Sequence, residues 1–311
     1  YNANKTSFDV KVQAIGNNNN IKNSKIPESV EYLYLAPITH FSVNDGVLSW
    51  EEIENATSYK LKVKHQGAEQ ILSQAGRTYA NLDPGKAYTV EVFPMTEGKN
   101  YFSSWTETET INILSIPENV MYTNDNQITW EGVSNATAYK ISYYENGTLT
   151  KTDILAVGGN TGVNILDEFN EVAEYQVRIQ ADTEQTTYYT SKQTDPITII
   201  RLPKPASYNV TDNPLIADST NVTFNSVTNA SSYEIRYDDT TVQNTVATSF
   251  SPLFDDGAIN EPQTITMSIY SKGNILNHSS KRYVLDSIEY LSFELKRLAT
   301  PSNLSVDNGT I

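Results

Sequence analysis

A segment that recurs three times constrains this chain more than any other feature. It reads Leu48-Ser49-Trp50, then Ile53-Glu54-Asn55-Ala56-Thr57-Ser58-Tyr59. It returns as Ile128-Thr129-Trp130 with Val133-Ser134-Asn135-Ala136-Thr137-Ala138-Tyr139. The third copy is Val222-Thr223-Phe224 with Val227-Thr228-Asn229-Ala230-Ser231-Ser232-Tyr233. After each Tyr, apolar residues fall at every second position, as in Tyr59, Leu61 and Val63. That period marks a strand with one buried face. The Asn-Ala-Thr/Ser piece predicts a strand connection, because Asn and Ser/Thr side chains bond nearby backbone. The aromatic at Trp50, Trp130 and Phe224 is large enough to fill the space between two sheets.

A second element follows each copy: Tyr88-Thr89-Val90-Glu91-Val92, Tyr175-Gln176-Val177-Arg178-Ile179 and Ile265-Thr266-Met267-Ser268-Ile269. An earlier one, Phe8-Asp9-Val10-Lys11-Val12, has no first half in this chain. The steps from Phe8 to Tyr88, Tyr175 and Ile265 are 80, 87 and 90 positions, the length that seven short strands need. Near the other end, Leu304–Ile311 matches Phe41–Leu48. Residues 1–35 and 299–311 are each too short to bury a core, so the sequence reads as a section of a longer tandem array.

Composition narrows the function classes. The 20 tyrosines, with frequent Thr, suit pleated, half-exposed strands. Cysteine is absent, which removes disulfides, thiolate metal sites and cysteine nucleophiles, and favours a bacterial exported protein over a eukaryotic one. A formal charge of −15 argues against nucleic-acid binding. No run of about 18 apolar residues predicts a membrane span, and no signal peptide is legible.

The chain resembles the fibronectin type III family, in the form found in bacterial surface and secreted proteins. The resemblance covers essentially the whole sequence. It is carried by Trp50 and Trp130, by Tyr59, Tyr139 and Tyr233, by Ser103-Ser104-Trp105, and by Leu82-Asp83-Pro84-Gly85-Lys86-Ala87-Tyr88. The last stretch is similar to the family's tyrosine corner, which implies a bond between the Tyr88 hydroxyl and backbone near a turn. The third copy departs from the pattern: Phe224 stands for Trp and Ile265 for the corner Tyr. The implied fold is all-β, with tandem fibronectin type III-like β-sandwiches in an elongated rod. The expected units are residues 1–35 (end of a module), 36–115, 116–201, a divergent 202–298, and 299–311 (start of another).

Boundaries fall at Leu35-Ala36-Pro37, Ser115-Ile116-Pro117, Arg201-Leu202-Pro203 and Ala299-Thr300-Pro301, without flexible linkers. Proline there stiffens the passage between units. Three whole modules, each one strand of about 30 Å long, predict a rod on the order of 90–100 Å.

No motif signals catalysis, and no catalytic, cofactor or metal residue is assigned. His40, His65 and His278 lie far apart in sequence. Asp238-Asp239 and Asp255-Asp256-Gly257 fit turns better than a Ca²⁺ site of six to eight oxygens. The Asn-x-Ser/Thr triplets at Asn55, Asn135, Asn229 and Asn277 are possible glycan acceptors, three of them already explained by the repeated turn. The F–G loops are expected at Asn17 to Asn20, Gly98 to Phe102, Thr187 to Tyr189 and Asn274 to Asn277. Tyr101, Phe102, Tyr188 and Tyr189 are the candidate binding residues, able to stack on a sugar ring or a partner, or to begin a strand.

The resulting expectation is a non-catalytic structural and adhesive stalk of a large extracellular repeat protein at a bacterial cell surface. Its partner is a protein or glycan that the sequence does not identify, with weak self-association through sandwich edges. The alternative is a spacer, or weak carbohydrate-binding accessory modules, in a secreted polysaccharide-degrading enzyme.

Overall fold

The computed structural model describes residues 6–301 except 18, 124–125, 157–160, 165–168, 213–219, 239, 255–260 and 275–279. An N-terminal hairpin pairs β1 (Ser7–Val10) with β2 (Val30–Tyr34). The first sandwich comprises β3 (Phe41–Asn44), β4 (Val47–Trp50), β5 (Ser58–His65), β6 (Ala68–Gln74), β7 (Thr78–Tyr79), β8 (Ala87–Met95), β9 (Asn100–Phe102) and β10 (Glu109–Ile113). The second comprises β11 (Met121–Tyr122), β12 (Gln127–Thr129), β13 (Ala138–Glu145), β14 (Thr148–Ala156), β15 (Gly162–Asn164), β16 (Glu174–Asp182), β17 (Tyr188–Tyr189) and β18 (Ile197–Arg201). The third comprises β19 (Tyr208–Thr211), β20 (Asn221–Phe224), β21 (Ser232–Tyr237), β22 (Thr241–Thr245), β23 (Ser249–Phe250), β24 (Gln263–Lys272), β25 (Arg282–Leu285) and β26 (Leu291–Arg297).

Each sandwich sets a three-stranded sheet against a four-stranded one. The small sheets run β3-β4-β7, β11-β12-β15 and β19-β20-β23. The large sheets run β10-β8-β5-β6, β18-β16-β13-β14 and β26-β24-β21-β22. Alternation along the strands puts one face inside: Tyr59, Leu61 and Val63 are buried on β5, and Tyr88, Val90 and Val92 on β8.

The recurrent segment has one physical role in all three copies. Its Asn holds a left-handed backbone, with φ of 64° at Asn55, 66° at Asn135 and 71° at Asn229. Asn tolerates that region better than most side chains. The turn closes when the next Ala N–H donates to the carbonyl three residues back: Ala56 to Ile53, Ala136 to Val133 and Ala230 to Val227. The Tyr hydroxyl then accepts from the backbone N–H that opens the turn, at 3.3 Å for Ile53–Tyr59, 2.7 Å for Val133–Tyr139 and 2.8 Å for Val227–Tyr233. The same Tyr ring meets the aromatic of the preceding strand edge-on, Trp50, Trp130 or Phe224, at centroid distances of 5.6, 5.1 and 4.7 Å. Turn, hydroxyl and ring thus join the two sheets at one point.

The tyrosine corner also forms where a Tyr is present. The Tyr88 hydroxyl accepts from Asp83 N–H at 2.9 Å, and the Tyr175 hydroxyl donates to Glu171 O at 3.0 Å. Gly85 turns this corner at φ 70°, in the left-handed region that favours glycine. Ile265 is buried in the third sandwich and has no hydroxyl to make the bond. Asp45 and Gly46, at φ 49° and 74°, form the two-residue turn between β3 and β4 that right-handed strand twist prefers.

The left-handed turn makes a prediction. Asn135→Ala should cost about 1 kcal/mol of the opening free energy of β13, and Asn135→Gly only a few tenths. Amide hydrogen exchange along β13 and β16 measures both. Equal costs for the two variants would show that side-chain contacts, and not backbone conformation, hold the turn.

Candidate interface: the junctions between sandwiches

Between its penultimate and last long strands, each sandwich sends a short strand to its predecessor. β9 pairs parallel with β2, β17 with β10, and β25 with β18. The registers are Leu33 opposite Tyr101, Ile113 opposite Tyr189, and Ile199 opposite Tyr283. The outer edge of each receiving strand would otherwise present unpaired N–H and C=O groups.

A leucine directly after each receiving strand closes the junction. Leu35 N–H donates to Phe102 O at 2.9 Å, Leu114 N–H to Tyr189 O at 3.0 Å, and Leu202 N–H to Leu285 O at 3.2 Å. All three leucines are buried, at 0%, 2% and 1% exposure. They pack forward into the sandwich that follows. Leu35 belongs to the core of the first sandwich and Leu114 to that of the second. Leu202 packs with Ile200, Val284, Val227 and Ala230 at the base of the third.

Side chains also pass backward. Tyr189 packs on the first core, and Tyr283 and Leu285 lie within the second. Tyr283 and Tyr122 have ring centroids 5.5 Å apart. The second and third junctions are therefore exchanges, with a leucine going forward and an apolar side chain of the lent strand going back; at the first, Leu35 goes forward while Tyr101 stays against its own core and Phe102 stacks on Tyr32. Fully burying a leucine contributes roughly 1.5–3 kcal/mol, so each sandwich has a measurable stake in its neighbour. The cores cross the boundaries expected from sequence at Leu35, Leu114, Tyr189, Tyr283 and Leu285.

Between each lent strand and the final strand, a Ser or Thr holds the chain to the preceding long strand through its hydroxyl. Thr106 Oγ1 accepts from Val92 N–H at 3.1 Å, Thr194 Oγ1 from Ile179 N–H at 3.0 Å, and Ser287 Oγ from Ser271 N–H at 3.0 Å. Additional polar contacts fix individual junctions. Asn112 Nδ2 donates to Thr187 O at 2.6 Å, and Gln193 N–H donates to Asp45 Oδ1 at 2.9 Å. At the last junction the half-buried Arg201 donates from Nε to Phe169 O at 2.8 Å and from a terminal nitrogen to Asp286 O at 2.9 Å. Burial pulls its pKa below the ordinary guanidinium range, opposed by the charges of Tyr122, Asp286 and Tyr175. Burial likewise pushes the Tyr189 phenol up.

The four candidate binding residues all lie in these lent strands. Tyr101 and Tyr189 are half-buried against the first core, and Tyr188 against the second. Phe102 is the most open, 50% exposed and stacked on Tyr32 at 4.9 Å. Trp105, expected in a closing strand, precedes β10 instead. It lies on the outer face of the first sandwich, 5.4 Å from Phe93, with Lys62 Nζ 4.5 Å above its ring. Sequence reasoning placed Leu35, Arg201 and Leu202 at boundaries without giving them a role there, and it missed Leu114, Tyr283 and Leu285. The available signal was the leucine that follows every final strand, 12 or 13 positions after the last lent residue.

His40 is exposed, with Thr39 Oγ1 2.8 Å from its Nδ1, and His65 lies against Tyr88 with Nδ1 2.8 Å from Ala87 O. Asp238, just after β21, reaches across to β24 and accepts from Thr266 N–H at 2.8 Å. His278, Asn277, Asp239 and 255–257 lie outside the described residues. Among the described residues no group of three or more His, Cys, Asp or Glu side chains is placed to hold a metal, and no helix is long and apolar enough to cross a membrane.

No family model matches the chain, and no curated protein matches it. Among solved structures it is similar to the FN1–FN3 domains of chicken CNTN1, at 14% identity over 85% of this chain and 99% of that one, with a TM-score of 0.28. A two-domain fibronectin type III segment of chicken tenascin matches at 15% identity over 52% of this chain and 97% of that one, with a TM-score of 0.22. Superpositions that loose transfer neither arrangement nor function. The strand pairing itself makes this an all-β chain of fibronectin type III-like sandwiches.

Because Tyr283 is borrowed, its loss should be felt across the junction. Tyr283→Ala is expected to lower hydrogen-exchange protection in β16 and β18 by about 3–5 kcal/mol, while Tyr283→Phe keeps most of it. Loss confined to β24 and β26 would show that the second core stands without the borrowed ring.

Proposed function

We propose that this chain is a non-catalytic structural and adhesive stalk, part of a large extracellular repeat protein at a bacterial cell surface. The observation that carries this reading is the threefold recurrence of a strand-lending junction. A freely jointed set of binding domains has no need for neighbours that share cores. A spacer that must hold its length does, because the exchange resists bending and twisting between units. The absence of cysteine and the acidic surface fit an exported bacterial chain in this reading.

Self-association of such a stalk is weak. Among the described residues, the large sheets end on the side away from the junctions at β6, β14 and β22. On β14, Lys151 and Asp153 pair at 3.0 Å, with the Lys151 ammonium over the Tyr143 ring, and charges at an edge discourage added strands. A second reading, accessory modules with weak carbohydrate affinity in a secreted polysaccharide-degrading enzyme, is favoured by one observation. The stacked Phe102 and Tyr32 offer an aromatic face at the first junction.

Small-angle scattering tests the stalk. The chain should give a maximum dimension of at least roughly 90–100 Å, the length of three sandwiches end to end. Leu114→Asp should broaden the distance distribution between spin labels placed on the first and second sandwiches. A compact envelope would sink the stalk. Saturable polysaccharide binding lost in Phe102→Ala would favour the accessory reading.

A further inference from the structure

Four strands in this chain occupy the same final place in a sandwich: β2, β10, β18 and β26. Three of them receive a parallel strand on their outer edge, and in each case the leucine that follows is buried. β26 ends its sheet, with no strand beyond it among the described residues. Its following leucine, Leu298, is 85% exposed. The position is that of Leu35, Leu114 and Leu202, each of which is at most 2% exposed.

We infer that the edge of β26 together with Leu298 is a docking site for the lent strand of one further module of this repeat, joined in the same polypeptide. The occupant follows from the interface already present three times. It is an extended segment of two to four residues, running parallel to β26, with an aromatic or aliphatic side chain directed at the third core. Its last carbonyl accepts the Leu298 N–H, and Leu298 enters the incoming core. The local sequence agrees. Leu298-Ala299-Thr300-Pro301 has the spacing of Leu114-Ser115-Ile116-Pro117, the junction at which β10 receives Tyr188 and Tyr189. The receiving end carries the matching chemistry as well: Leu295 is buried beside the edge, and Arg297 lies over the Phe254 ring at 5.7 Å. This site depends on the junction geometry and not on the stalk reading, which could fail while the docking holds.

The test joins a second copy of residues 115–202 after Leu298 and follows amide exchange. The appended copy carries the Tyr188-Tyr189 strand and supplies the probe in cis, where effective concentration is high. The Leu298 amide should exchange at least tenfold more slowly than in the 311-residue chain, and Tyr189→Asp in the appended copy should reverse the gain. If the appended copy protects its own β16 amides while Leu298 exchanges as before, the inference is wrong. A second chimera appends residues 203–298, whose Tyr283 and Leu285 strand is longer. Failure of both copies to fold after Leu298, when each folds after its own predecessor, would equally overturn it.

Discussion

A β-sheet has edges, and an edge strand presents backbone donors and acceptors that must find water or another strand. In an array of sandwiches this requirement and the need to hold neighbours together are met by one device. The edges of β2, β10 and β18 each receive a short parallel strand from the unit that follows, and the leucine at the end of each anchors the pairing. Parallel strands need a long crossover between them. Here the crossover is most of a sandwich, so the pairing cannot form until the second unit has taken shape. Backbone hydrogen bonds set the direction of the contact, and buried side chains supply its free energy.

The exchange changes what counts as a unit. Single sandwiches of about 80–90 residues bury only part of their surface and are marginal alone. Lending Tyr283 and Leu285 to the second core, while Leu114 arrives from the other side, lets that core extend beyond its own sequence span. Stability in such an array contains a term for each sandwich and a term for each junction, as in other quasi-one-dimensional repeats. The open edges on the opposite side face water and are guarded locally, as by the Lys151–Asp153 pair on β14.

The sequence made the sandwiches legible because their determinants repeat in register. Alternating apolar residues, the aromatic pair and the Asn-Ala connection all sit within about 14 positions, so a local reading finds them, though not the left-handed conformation of the Asn. The corner Tyr88 was equally visible. The junctions were not, because their partners lie 67 to 83 residues apart, as with Leu114 and Tyr189, and no local periodicity links them. Tyr101, Phe102, Tyr188 and Tyr189 stood out as aromatics near loops, able either to meet a partner or to begin a strand and be partly buried. All four lie in short strands; three pack against a core, and Phe102 keeps a large exposed face. Tyr283 drew no notice, since one aromatic in a strand-like run looks like any core residue.

Borrowed side chains also set an order of events during synthesis. A chain emerging from its N-terminus exposes Ile199 long before Tyr283, the residue that will lie opposite it, has been made. The second sandwich therefore waits, its core short of two members, until 86 further residues have appeared. Each unit is completed by its successor, and maturation passes along the array as a wave one sandwich behind the growing end. In that interval the open edge of β18 is the part of the nascent chain most in need of protection.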